Sequence, residues 1–442
     1  MSARSCRVRA GMRPERSSIR PTDLLPGALF LAAILLFAPR LGVPAQYEFD
    51  EVYHAYTAGQ YVAGNADAYV WYTVAPREGV AYMWNHPPAG VLCIAAGILI
   101  WGDDPLGWRF ASALFGAAGV VLTFALARRL TGDLRIAILA SALVLCDGMY
   151  FAQSRVAMLD VFGVVFALGA LLSLHGVLTA DPERAAWPIV RTGLWLGLAV
   201  ATKWNGAYAA AFCGLAIVIR VAAWVGRSPR LWRSLATAAV VGLAVVPAAV
   251  YLLAYVPFFA EGHDLGQWVE LQKQIFLYHT RLEATHPWSS RWWQWPLALR
   301  PVWYWTAAAP GGLAANGYAA PNPVLYWSFL PAVAWAAVRF RRDRAALTIL
   351  LVGFFGQWLP WALVPRIAFS YHFLPAVPIG ATATAAAVEA GHRRGGAARL
   401  LGWSYVALVV ATFVFYYPIL VGLPLTPRAL AWRLWLPGWR PV

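Results

Sequence analysis

The stretch 24-LLPGALFLAAILLFAPRLGVPAQYEFDEV-52 decides the reading of this chain. From Leu24 to Val43 it is apolar apart from Arg40, and a helix of about 20 apolar residues is what a bilayer crossing takes. It runs on into Phe49-Asp50-Glu51, an acidic pair just past the expected membrane boundary. Charge beside hydrocarbon is costly, so ionisable residues kept there mark a candidate functional site. An ordinary solvated loop carboxylate is the plainer reading, and the rest of the chain decides between the two.

Hydrophobic residues make up 60% of the 442, charged residues only 12%, and 24 are Trp. A soluble domain carries about 25% charged residues. Apolar runs of membrane length recur along the chain, so the expectation is a polytopic membrane protein. The formal net charge of +15 does not indicate a nucleic-acid partner. Its basic residues, all arginine except Lys203 and Lys273, fall in short clusters between apolar runs, as the positive-inside rule describes. Cys6, Cys93, Cys146 and Cys213 show no paired spacing, which argues against a disulfide framework or a zinc site.

The pattern predicts an all-α fold of about eleven transmembrane helices, near 24–43, 109–130, 134–152, 157–178, 190–206, 207–226, 235–256, 322–340, 345–364, 371–389 and 399–421. Residues 1–23 form a basic tail. The long Arg-rich lead and the missing small-residue cleavage site make 24–43 a retained span, not a signal peptide. Arg128, Arg129 and Arg135, then Arg220, Arg227, Arg230 and Arg233, then Arg339, Arg341, Arg342 and Arg344, then Arg393, Arg394 and Arg399 alternate onto the side of that tail. This predicts a cytoplasmic N-terminus and an external C-terminus, with 422–442 as an external tail.

One domain, 24–421, then carries two long outer loops. Loop 44–108 holds the acidic pair, the turn Asn85-His86-Pro87-Pro88, and an apolar stretch 89–101 too short for a span and read as re-entrant or surface-lying. Loop 257–321 is dense in Trp and Tyr, either an interfacial aromatic belt or a surface for carbohydrate or peptide.

Asp50 and Glu51, adjacent on a helix, point about 100° apart, so one can act as a base while the other binds or orients. Arg109, Arg155, Lys203 and Arg366 all reach the outer face in this topology, with His372 beside them. Several cations converging on a carboxylate suit a lipid-phosphate donor, because a guanidinium grips phosphate and balances the charge of a phosphate leaving group. Taken singly, each cation reads rather as a snorkelling anchor; taken as a set, they favour function. Asp147 and Asp160 flank Arg155 and are expected to pair with it. His86 offers a donor or acceptor on a rigid turn. His263, His279 and His286 are read as solvated or capping residues, and no spacing makes a metal site.

These segments together resemble the protein O-mannosyltransferase family, membrane enzymes of the GT-C fold. The matching pieces are Phe49-Asp50-Glu51-Val52-Tyr53, Asn85-His86-Pro87-Pro88, Trp108-Arg109-Phe110, Gln153 through Asp160, Lys203-Trp204-Asn205-Gly206, His286-Pro287-Trp288-Ser289-Ser290, Asn322-Pro323 and Tyr371-His372-Phe373-Leu374-Pro375. The resemblance implies inverting transfer of mannose from polyprenyl-phosphate-mannose to Ser or Thr hydroxyls of exported proteins, with no cofactor. It implies a plasma-membrane enzyme whose site faces outward, in contact with the bilayer and the export machinery. Carried over, Asp50 is the base and Glu51 positions acceptor or sugar. Arg109 binds the donor phosphate with Arg155 and Lys203 helping, and His86, Asp160, Arg366 and His372 support. Eukaryotic members insert a β-trefoil domain in the second outer loop, where this chain has about 65 residues, so it resembles the shorter bacterial type. Two alternatives stand: a GT-C transferase of another lipid-linked sugar onto lipid or cell-wall glycan, and a lipid-linked sugar transporter. No inverted repeat supports the transporter.

Overall fold

The computed structural model describes residues 21–227 and 229–440, so residues 1–20 of the basic tail lie outside it. In chain order the helices are α1 Leu25–Phe37, α2 Glu51–Val62, α3 Ala89–Trp101, α4 Pro105–Thr131, α5 Leu134–Leu145, α6 Gly148–Gln153, α7 Asp160–Thr179 and α8 Ala186–Thr202. Then come α9 Gly206–Arg227, α10 Trp232–Val240, α11 Val246–Ala254, α12 Val256–Ala260 and α13 Leu265–Arg281. After a two-stranded sheet follow α14 Pro323–Phe340, α15 Arg344–Trp358, α16 Val377–Arg394, α17 Gly396–Leu420 and α18 Pro427–Ala431. Among the described residues, seven helical segments are long and apolar enough to cross a membrane: 105–131, 160–179, 206–227, 229–254, 344–363, 370–394 and 396–420. The chain is a multi-pass membrane protein.

Local chemistry sets the helix ends. Asp104 accepts hydrogen bonds from the Leu106 and Gly107 N–H groups ahead of Pro105 at the first turn of α4, and Gly132 closes that helix at φ 67°. α7 packs between α4 and α8, and α16 lies among α5, α14 and α17, around a large apolar core, with a second apolar cluster where α2, α3, α4, α7 and α8 meet. A single π turn over 241–245 joins α10 to α11 and brings the Gly242 carbonyl against Gly193 of α8. A Cβ at Gly193 would lie 1.6 Å from that oxygen, so this helix crossing needs glycine.

Two arginine clusters meet at one end of the bundle. Arg393 of α16 pairs with Glu389 at 2.9 Å and with Asp133, and Arg135 reaches Glu389 at 3.8 Å.

The structure refines the sequence reading in four places. The mostly helical fold includes one small sheet among the described residues: β1 Val302–Ala309 and β2 Leu313–Ala319 form an antiparallel hairpin, with Val302 opposite Ala319 and Trp303 opposite Tyr318. Residues read as an interfacial belt are the aromatic and β-branched residues a pleated strand favours, and Gly311 and Gly312 make the reversal at φ 76° and 72°. The segment 134–152 is two helices, broken at Cys146-Asp147. Asp147 caps α6 through the Met149 and Tyr150 N–H groups, and also accepts from the Asn322 N–H and Tyr326 hydroxyl. It is therefore not Arg155's partner. The stretch 89–101 is a helix packed against α2 and α4. Finally, the described part of the C-terminal tail, 422–440, packs back on the molecule: the Trp439 indole donates to the Ala298 carbonyl at 2.8 Å, and Leu425 and Ala314 exchange backbone hydrogen bonds.

Candidate active site

Asp50 stands at the start of α2, and three anchors fix it there. Phe49, immediately before it, has φ 49°, a left-handed conformation that a bulky side chain rarely takes. Its ring is held among His286, Tyr304, Phe369 and Tyr371, with centroids 4.9–6.3 Å away. Glu51, fully buried, supplies the second anchor by accepting the backbone N–H groups of Glu48 and Ala157 at 3.0 and 2.9 Å. The third is Arg109, also fully buried, which makes a two-point bond to Glu51 at 2.7 Å on each arm. Its remaining donors reach the carbonyls of Leu41, Pro44 and Gln46. One ion pair thus clamps loop 41–51 against α4 and the 155–158 turn.

The Asp50 carboxylate makes no capping hydrogen bond. Burial pushes its pKa up to about 6, against the opposing pull of the Lys203 and Arg366 charges, while Asp160 pushes it further up. Those two cations share a cavity of about 310 Å³, whose other walls include His86, His279, Trp204 and Tyr208. Lys203 follows α8 and donates to both oxygens of Asp160 at 3.1 Å, with the Tyr371 ring 5.4 Å away. Arg366, half-buried between α15 and α16, makes no ion pair among the described residues. His86 stacks on His279 at 5.1 Å, and its Nδ1 is buried without a partner among the described residues. Burial and the Lys203 charge hold His86 well below its usual pKa, and burial takes His279 down to about 4, so both rings are neutral at pH 7. The cavity's positive charge therefore rests on Lys203 and Arg366.

The structure places the other expected site residues as follows. Every N–H of Arg109 is engaged by Glu51 or a backbone carbonyl, so it offers no donor to a phosphate. Arg155 points elsewhere: it donates to the Phe37 carbonyl, lies over the Phe151 ring at 5.0 Å, and lines a small separate cavity beside Glu48 and Tyr304. Asp160 pairs with Lys203, not Arg155. His372 is buried between Trp295 and Trp361, and its Nδ1 accepts the Phe369 N–H. Two residues were not singled out from sequence. Glu48 lies 3.6 Å from Arg109 within the clamp, and burial and the Glu51 carboxylate push its pKa up. His279, read as solvated or capping, stands in the cavity wall with Nε2 2.8 Å from the Asn85 carbonyl. Glu48 lies two residues before Asp50 in the sequence, whereas only the fold joins α13 to the Asn85 turn. Among the described residues no group of three His, Cys, Asp or Glu side chains is placed to hold a metal ion.

The chain is a multi-helical membrane bundle with a clamped acidic loop beside a cation-lined cavity, and its neighbours among solved structures agree in fold. The Saccharomyces cerevisiae protein O-mannosyltransferase Pmt1-Pmt2 complex bound to the sugar donor aligns over 96% of this chain and 94% of that one, with TM-score 0.79 and 15% identity. ArnT from Cupriavidus metallidurans bound to undecaprenyl phosphate aligns over 89% and 70%, with TM-score 0.55 and 19% identity. By sequence, the polyprenol-phosphate-mannose–protein mannosyltransferase of Mycobacterium tuberculosis H37Rv is 32% identical over 80% of this chain and 81% of its own. Its counterpart in Mycolicibacterium smegmatis is 30% identical over 93% and 91%. Residues 27–261 match the family described as dolichyl-phosphate-mannose-protein mannosyltransferase, and residues 264–439 match the C-terminal four-helix membrane region of protein O-mannosyltransferase. The chain belongs to the dolichyl-phosphate-mannose-protein mannosyltransferase family.

Proposed function

We propose that this enzyme transfers mannose from polyprenyl-phosphate-mannose to Ser or Thr hydroxyls of exported proteins, with inversion. The observation that carries the reading is Asp50: a carboxylate free of capping bonds, fixed by a buried clamp, and coupled electrostatically to Lys203 and Arg366 in a cavity wall. As the acceptor oxygen bonds to the sugar's anomeric carbon, its proton passes to Asp50. The bond from that carbon to the phosphate oxygen breaks, and its electron pair leaves with polyprenyl phosphate. Lys203 and Arg366 balance the charge gathering on that phosphate. Attack opposite the departing phosphate inverts the anomeric centre.

The other side chains hold these in place. Glu51 and Arg109 fix the loop, Asp160 holds Lys203, and the unpaired His86 nitrogen offers a hydrogen bond to a sugar hydroxyl. His372 braces the aromatic floor, and Arg155 supports the loop from behind without meeting donor. We place the N-terminus in the cytoplasm, the site on the extracytoplasmic face of the plasma membrane, and the C-terminus outside, with eleven spans. The meeting of the α4–α5 and α16–α17 arginine clusters at one end supports that orientation. An acceptor delivered there arrives as an exported chain, which puts the export machinery close by. With the phosphate charge balanced by two side chains, a chelator is expected to leave the rate unchanged; loss of activity in EDTA, restored by a divalent ion, contradicts the reading.

The test is transfer of labelled mannose from polyprenyl-phosphate-β-mannose to a Ser/Thr-rich peptide by the purified protein. The expected product is an α-mannosyl peptide. Label on glycolipid alone, or a β-linked product, overturns the proposal.

A further inference from the structure

A second, larger hollow shares a wall with the cation-lined cavity. It measures about 700 Å³, and Trp361, Val364, Pro365 and Arg366 belong to both. Its far wall is the start of the hairpin loop, from Ser289 to Gln294, with Arg300 beyond. No carboxylate lines it. The sequence shows the same bias more widely, since no acidic residue occurs between Glu283 and Asp343. Arg291, Arg300 and Arg366 make no ion pair among the described residues. Arg300 is steadied by the Pro287 carbonyl at 2.5 Å, and Arg291 is exposed.

We infer that this hollow is the acceptor groove, and that Arg291 and Arg300 make the enzyme prefer polypeptides with acidic residues flanking the Ser or Thr to be glycosylated. The inference rests on the reading that the acceptor is a polypeptide, and deepens it. A chain lying in the groove passes along the 361–366 segment into the cation-lined cavity, whose Lys203 and Arg366 act electrostatically on Asp50. Serines, Gln294 and tryptophan rings along the groove suit an extended peptide. Unpaired arginines with no carboxylate nearby favour an anionic partner. An anionic lipid headgroup shares the charge, and Trp293 is exposed in the same wall, so the lipid arm of the test separates the two; the run of Ser289, Ser290 and Gln294 beside the arginines favours a peptide.

Each exposed charge pair is modest, so Arg291 and Arg300 together are expected to give an acidic peptide about fivefold tighter binding than its Gln counterpart. The first measurement is binding, by fluorescence anisotropy, of labelled Ser/Thr peptides flanked by Glu, Gln or Lys. It uses full-length Asp50→Asn protein in nanodiscs of neutral lipid, which removes turnover from the reading. The order Glu, Gln, Lys is expected, and the combined change Arg291→Gln and Arg300→Gln should flatten it. The same peptides with Asp50 intact should differ in KM rather than kcat. Equal binding of the three peptides overturns the inference, as does a preference that survives loss of both arginines. An effect of the arginines seen only with anionic lipid in the disc assigns them to the membrane and also overturns it. Charge-dependent binding without mannosyl transfer would instead sink the proposed reaction while leaving the groove standing.

Discussion

Asp50 draws its reactivity from what surrounds it. A surface aspartate has a pKa near 3.9 and is a weak base at neutral pH. Burial raises this one to about 6, where it remains ionised at pH 7 yet accepts a proton more readily. Ionised Asp50 is the active form, so kcat/KM should fall about tenfold per unit as pH drops below about 6 and level off above it. A pH-rate profile flat from 4.5 to 8 contradicts that role. The linkage runs the opposite way for stability. Because the folded pKa lies above the unfolded one, the folded state binds the extra proton between about pH 4 and 6, and stability declines as pH rises through that window. Asp50→Asn should therefore unfold at no lower temperature than the parent at pH 7. Arg109 calls for a different expectation. Removing one partner of a buried ion pair costs about 3–5 kcal/mol, so Arg109→Ala should lower the thermal midpoint and kcat together, with no selective rise in donor KM. A donor-KM effect at unchanged stability would restore a phosphate role. The same logic makes Arg366→Gln the variant that weakens donor use without lowering the midpoint.

At the scale of elements, the long spans were legible and their interruptions were not. Apolar length marks a helix in lipid regardless of partners, which is why 105–131, 160–179 and 206–227 match the runs read from sequence. The break at Asp147 carried a signal, an aspartate followed by glycine inside an apolar run, but its meaning depends on Asn322 from a distant helix. The hairpin was hidden by chemistry shared between two fates: Val302, Trp303, Tyr304 and Trp305 suit an interfacial belt as well as a strand. Only the Gly311-Gly312 reversal favoured the strand. The π turn over 241–245 left no mark in the apolar pattern, yet it makes the closest helix contact on that flank. Gly193→Ala places a methyl group against the Gly242 carbonyl, which cannot yield without moving α10 and α11. Its thermal midpoint should fall clearly, whereas Gly214→Ala, in open space on α9, should leave it unchanged. Equal behaviour of the two would mean that the crossing tolerates separation.

Over the whole molecule, the candidate site was readable in part because its motifs come in order along the chain, and partly unreadable because charge pairing is settled in three dimensions. Sequence placed Asp50, Lys203 and Arg366 together on one face. It could not decide which of four cations would be spent internally, since Arg109 and Arg155 look no different from Arg366 in a hydropathy profile. Burial made the distinction: Arg109 is saturated by Glu51 and the carbonyls of loop 41–46, and Arg155 is turned toward α1. Topology follows from the same arrangement. A cysteine replacing exposed Glu78 should react with an impermeant maleimide added outside intact cells, and one replacing Arg342 should react only after permeabilisation. The reverse pattern would invert the proposed orientation and move the site to the cytoplasm. The central claim is that Asp50 is the base for mannosyl transfer to protein. It is met most directly by single-turnover transfer of labelled mannose from polyprenyl-phosphate-mannose to a Ser/Thr peptide, comparing the purified enzyme with Asp50→Asn at matched folding. A rate lower by about 10²–10⁴ in the variant, with donor binding retained, is the predicted result. Transfer by Asp50→Asn at the parent rate would contradict the account.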